Sequence, residues 1–115
     1  MKHFALGRLK TGEMNKTEEA YGRLLRDRQL AGEVVWYAFE AVNLRLAANT
    51  FYKPDFLVQL SSGEVQVHEV KGGRAIFADD ARVKVKVAAD KFPFQFIVAY
   101  PRAKRDGGGW DIEEF

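Results

Sequence analysis

The chain has no cysteine, and only three prolines and two histidines among its 115 residues. Each shortage removes a class of chemistry. Without cysteine there is no disulfide framework, no thiolate zinc site and no cysteine nucleophile. Two isolated histidines, His3 and His68, make no zinc centre on their own. No apolar run approaches the roughly 20 residues that span a bilayer, and the N-terminus lacks a signal-peptide core. Both features, with the missing cysteine, fit a cytoplasmic protein. A strong excess of one charge is missing too: the net charge is +2, well short of a protein that coats nucleic acid. Gly72-Gly73 leads into Arg74 rather than a Gly-Lys-Ser/Thr ending, so no phosphate-cradling nucleotide loop is present. Ser61 and Ser62 are turn residues with no histidine base in prospect, which excludes acyl transfer by a serine nucleophile.

What remains is a chain of 47% apolar and 13% aromatic residues, enough for one globular domain with a hydrophobic core. Residues 1–14 read as an N-terminal arm, mixed and basic (Lys2, His3, Arg8, Lys10), and residues 15–115 as the domain. Asn15 is placed as the N-cap of a helix from about Lys16 to Leu30, with Tyr21, Leu24 and Leu25 as its apolar stripe and Gly32 as its left-handed stop. Val34 to Leu46 reads as one strand bent near Glu40-Ala41. Ala48-Asn49-Thr50 is a turn, and Phe51 to Leu60 the next strand. Pro54 lies inside that run and cannot donate to a ladder, which implies an edge or a bulge beside Asp55. Ser61-Ser62-Gly63 makes a hairpin into a third strand, Glu64 to Lys71.

A second helix is expected from Asp79 or Asp80 to about Lys91, framed by Ala78, Ala81, Ala88 and Ala89. The alternation Val83-Lys84-Val85-Lys86-Val87 competes with it as a strand pattern. Phe94 to Tyr100 is a buried strand, reached by a right-handed crossover to a parallel neighbour. Trp110 to Phe115 is a short closing strand. The class is α/β: a mixed central sheet flanked by helices, in the order α-β-β-β-α-β.

One constellation stands out. Glu69 and Lys71 are two apart on a strand and share a face. The hairpin carries Asp55 across from Glu69 or Lys71. Two carboxylates and an ammonium on one sheet face are costly unless a cation binds there. Oxygen-only ligation of this kind suits Mg²⁺, which takes one or two carboxylates and keeps several waters. The chemistry that follows is metal-assisted phosphodiester hydrolysis. Against this stands a plain surface ion pair across a hairpin, worth about 0–1 kcal/mol. Glu18 has two readings as well. Asn15-Lys16-Thr17-Glu18 has the form of a capping box, yet Glu18 shares a helix face with Tyr21 and Leu25 and can lean over the metal site. His68 alternates to the face opposite Glu69 and reads as packed or solvent-facing. Lys84 and Lys86 are solvated helix charges or phosphate contacts, and Arg82 and Arg74 join them as candidate nucleic-acid contacts.

The residues Asn15-Lys16-Thr17-Glu18, Tyr52-Lys53-Pro54-Asp55-Phe56, Glu69-Val70-Lys71-Gly72 and Asp79-Asp80-Ala81-Arg82-Val83-Lys84, in this order, resemble the PD-(D/E)XK nuclease superfamily. Within it they are most similar to the phage endonuclease I group of Holliday-junction resolvases and small phage nuclease-like proteins. The resemblance runs from about Asn15 to Tyr100. It implies a restriction-endonuclease-like core and a Mg²⁺-dependent endonuclease acting on DNA, with Mn²⁺ as a substitute, in a bacterial host cell and of phage or prophage origin. Asp55 and Glu69 would hold the metal with the Val70 carbonyl, Glu18 would be an additional ligand, and Lys71 would orient the attacking water. A preference for Holliday junctions would require two active sites and hence a homodimer. The stretch Gly73 to Ala78 is longer than the link the resolvases place there, so substrate choice does not carry across. The reading from another class is a catalytically silent nuclease fold used as a DNA-binding or accessory module.

Overall fold

The computed structural model describes residues 12–74, 77 and 79–115. The basic positions of the expected arm up to residue 11, and Ala75, Ile76 and Ala78 of the expected loop and helix frame, lie outside them. Helix α1 (Lys16–Leu30) begins as its sequence dictates. The Asn15 side chain accepts from the Glu18 amide at 2.8 Å, and the Glu18 carboxylate accepts from the Asn15 amide at 2.9 Å. Its end is a Schellman closure: Gly32 takes φ of 85°, and the Gly32 and Glu33 amides donate to the Gln29 and Arg28 carbonyls. A side chain at residue 32 would be strained there.

Strand β1 (Val34–Phe39) stops where Glu40 turns to a φ of 51°, a left-handed conformation outside the β region. A separate two-stranded hairpin follows, β2 (Leu44–Ala47) and β3 (Thr50–Tyr52), turned by Asn49 at φ 56°. Lys53-Pro54-Asp55 then breaks the chain before β4 (Phe56–Leu60). The two long strands read from the sequence, Val34 to Leu46 and Phe51 to Leu60, are therefore each two elements. The causes are the left-handed Glu40 and a proline that offers no ladder donor. The register shifts fall at Val34/Trp36 and Arg45/Ala47 rather than beside Asp55.

Gly63, at φ 95°, turns the hairpin into β5 (Val65–Val70). Helix α2 (Asp79–Lys91), β6 (Gln95–Pro101), a short 3-10 turn (Lys104–Asp106) and β7 (Trp110–Glu114) complete the chain. The order among described residues is α-β-β-β-β-β-α-β-β. The main sheet runs β1-β4-β5-β6-β7, antiparallel except for β5 against β6, which α2 joins as a crossover. In α2 the valine alternation resolves as a helix. Val85 is buried with Ala88 while Val83 and Val87 face outward, a spacing of three that only a helix puts on one side. Asp80 accepts from the Ala81 amide in the first turn.

The result is a mixed α/β fold of three layers. On one face of the sheet α1 buries Tyr21 and Leu25 against Val34, Phe56, Val58, Val70 and Ala99. On the other, α2 and the small hairpin pack Val85, Ala88, Leu44, Leu46 and Tyr52 against Val67, Phe96, Val98 and Tyr100. No helix among the described residues is long and apolar enough to cross a membrane.

Candidate metal centre

The register fixes the first pair. Phe56 lies opposite His68 and Leu57 opposite Val67, so the next step along the antiparallel ladder sets Asp55 across from Glu69. Phe56 belongs to the α1 core and Leu57 and Val67 to the α2 core. Alternation therefore turns Asp55, Glu69 and Lys71 towards the α2 face together. The break at Pro54 is what frees Asp55 from the ladder. Its carbonyl accepts from the Glu40 amide at 2.8 Å and its Oδ2 from the Val70 amide at 2.8 Å. Asp55 is thus tied at once to the end of β1 and the end of β5, and its carboxylate is held rigidly.

Glu69 is buried, with its side chain 10% exposed. Its Oε2 lies 3.3 Å from the Lys71 Nζ, and its Oε1 accepts from the Tyr52 hydroxyl at 2.8 Å. Tyr52 was invisible to the sequence reading as a site residue. The hairpin β2–β3 delivers it, and the only hint was an aromatic hydroxyl three places before Asp55.

The electrostatics follow from burial. Asp55 is pushed up to about 8, first by desolvation and then by the Glu69 charge, with the Val70 amide opposing and Glu18 adding a smaller upward push. Burial also raises Glu69, against the pull of Lys71 and the Tyr52 hydroxyl. Desolvation and the neighbouring Glu69 raise Tyr52 well beyond the ordinary phenol range. One ammonium does not balance two buried carboxylates. A divalent cation would.

Glu18 takes the capping place. Its Oε1 completes the capping box, and its charge is close enough to raise Asp55. Among the described residues no three histidine, cysteine, aspartate or glutamate side chains converge as a ready-made cage. A hard cation that keeps several waters does not need one. Two carboxylates suit Mg²⁺, and among the described residues no nitrogen or sulfur donor of the kind zinc takes joins them.

His68 is a core residue. The Tyr21 hydroxyl lies 2.7 Å from its Nδ1 and the Gln66 Oε1 2.8 Å from its Nε2. A neutral ring with its hydrogen on Nε2 satisfies both. Burial drives it down to about 3, so it stays neutral.

No protein family, curated protein or solved structure matches the chain. Of the candidate nucleic-acid contacts, Lys84 and Lys86 are exposed on α2. Arg74 and Arg82 are instead gathered around Glu113 of β7, an arrangement with no local signal, because those residues lie 39 and 31 positions away.

Proposed function

We propose that this chain is a Mg²⁺-dependent endonuclease that hydrolyses DNA phosphodiester bonds, built on a restriction-endonuclease-like core. The observation that carries the reading is the convergence of Asp55, Glu69 and Lys71 at one end of the β4–β5 hairpin, with both carboxyls raised by burial. Asp55, Glu69 and the Val70 carbonyl would hold the metal, with Glu18 as an additional oxygen and Mn²⁺ as a substitute. Bound there, Mg²⁺ supplies a Lewis acid for a phosphoryl oxygen and makes water a better nucleophile.

The chain's own residues do the rest. The Val70 amide fixes the Asp55 carboxylate, and the Tyr52 hydroxyl fixes Glu69, so neither must reorganise when substrate arrives. Lys71 orients the attacking water in line with the leaving oxygen and offsets charge that builds on the phosphoryl group. Substituting Lys71→Ala is expected to lower the cleavage rate by about 10²–10³-fold or more, with the fold intact by circular dichroism.

The second reading, a silent nuclease fold that only binds DNA, is favoured by one observation: both Glu69 oxygens already have partners inside the protein. Thermal melting during a Mg²⁺ titration separates the two. An active site gains stability with metal, by about 2.7 kcal/mol at a hundred times Kd, and Asp55→Asn and Glu69→Gln abolish the gain. A silent site gains nothing. A preference for branched DNA belongs to the same proposal and needs a homodimer; equal cutting of linear and four-way-junction DNA removes that part alone.

A further inference from the structure

We infer that Lys71, Arg74 and the ring of Tyr100 form a seat for a backbone phosphate beside the carboxylate pair, and that Glu113 is the positioning residue that holds Arg74 there. The inference rests on the nuclease reading above and names where its substrate is gripped. The parallel register pairs Glu69 with Val98 and Val70 with Ala99, and the Lys71 amide donates to the Ala99 carbonyl at 3.0 Å. Lys71 therefore lies beside Tyr100, about 4.8 Å away in strand spacing, and on the same face. The Arg74 guanidinium sits 4.5 Å from the centre of the Tyr100 ring. Its Nη1 reaches the Glu113 Oε1 at 3.4 Å, and the Tyr100 hydroxyl donates to that same oxygen at 2.8 Å.

Charge and exposure pick out Arg74. Glu113 carries one negative charge against two guanidiniums, since Arg82 also pairs with it. Arg82 also lies against the rings of Phe77 and Phe115, which meet edge to face. The cluster keeps a positive surplus, and Arg74, with its side chain 60% exposed, is where that surplus meets solvent. A guanidinium stacked on a ring and tethered at one N–H has fewer rotamers to give up and still offers a planar fork to phosphate oxygens. Lys71 adds a point charge one strand away. Lys84 and Lys86, exposed on α2, have no such preorganisation.

The test measures binding of a short DNA duplex at several salt concentrations, with Ca²⁺ in place of Mg²⁺, by the full chain and its variants. Arg74→Ala is expected to weaken binding about tenfold and to make the salt slope shallower by about one. Arg74→Lys keeps the slope and recovers affinity only in part, because an ammonium neither stacks nor forks. In cleavage with Mg²⁺, Arg74→Ala raises KM with little change in kcat. Glu113→Ala removes a negative charge, yet a positioning role requires weaker binding, rescued by Glu113→Gln. An unchanged salt slope in Arg74→Ala overturns the seat while cleavage leaves the nuclease reading standing. The same slope change on Arg26→Ala, on the outer side of α1, overturns it as a mere count of charges. Tighter binding by Glu113→Ala overturns the positioning role. A wild-type protein that neither binds nor cuts DNA overturns both the seat and the nuclease reading.

Discussion

Asp55 and His68 sit one strand apart and pull the pH dependence of folding in opposite directions. The Asp55 carboxyl titrates at about 8 in the fold against roughly 4 in an unfolded chain. Between those values the folded state holds a proton the unfolded state has lost, so stability falls as pH rises. His68, driven down to about 3, does the reverse: stability falls as pH drops from about 6.5 towards that value. Of these two groups only Asp55 acts between about pH 6.5 and 8. Metal-free protein is expected to lose melting temperature across that interval, while Asp55→Asn loses less, with Glu69 the carboxyl still raised by burial, and melts higher at pH 8. A wild-type melting curve that rises from pH 6.5 to 8 contradicts the buried-carboxylate account. At this scale the triad was legible, because strand alternation and a hairpin fix which side chains share a face. Tyr52 and Glu113 were not, because each reaches its partner through tertiary placement of a different element.

Among the elements, α1 and its caps were fully legible. Asn15, Glu18 and Gly32 are local signals that act through their own backbone neighbours. The bend at Glu40 was visible, but its consequence was not: a glutamate carries no left-handed preference, and only packing against α2 splits off the β2–β3 hairpin. Glu18 offers an element-level test because its two roles separate by chemistry. Gln at the third helical position still closes a capping box, so Glu18→Gln should melt within about a degree of wild type while losing the charge near Asp55. If Glu18 assists the metal, cleavage falls by about 10–100-fold; unchanged cleavage leaves it a cap only. Asn15→Ala breaks the box from the other side and is expected to lower stability by about 1 kcal/mol, read by chemical denaturation.

At the scale of the whole molecule the sheet divides two tasks. The α1 face buries His68 and Tyr21. The α2 face carries Asp55, Glu69 and Lys71 beside the arginine cluster on Glu113. A small hairpin inserted between β1 and β4 supplies Tyr52 to the first group, and the edge strand β7 supplies Glu113 to the second. Both groups therefore depend on elements outside the β4–β5 hairpin that carries the carboxylates. Cleavage of a nucleic-acid backbone at this face with a divalent ion, as proposed, is open to a direct assay. The most direct measurement incubates supercoiled plasmid with wild-type and Asp55→Asn protein, with Mg²⁺ and with EDTA. Nicked and linear products only for wild type with Mg²⁺ are the predicted result; cleavage by Asp55→Asn equal to wild type, or none by wild type with Mg²⁺, contradicts it.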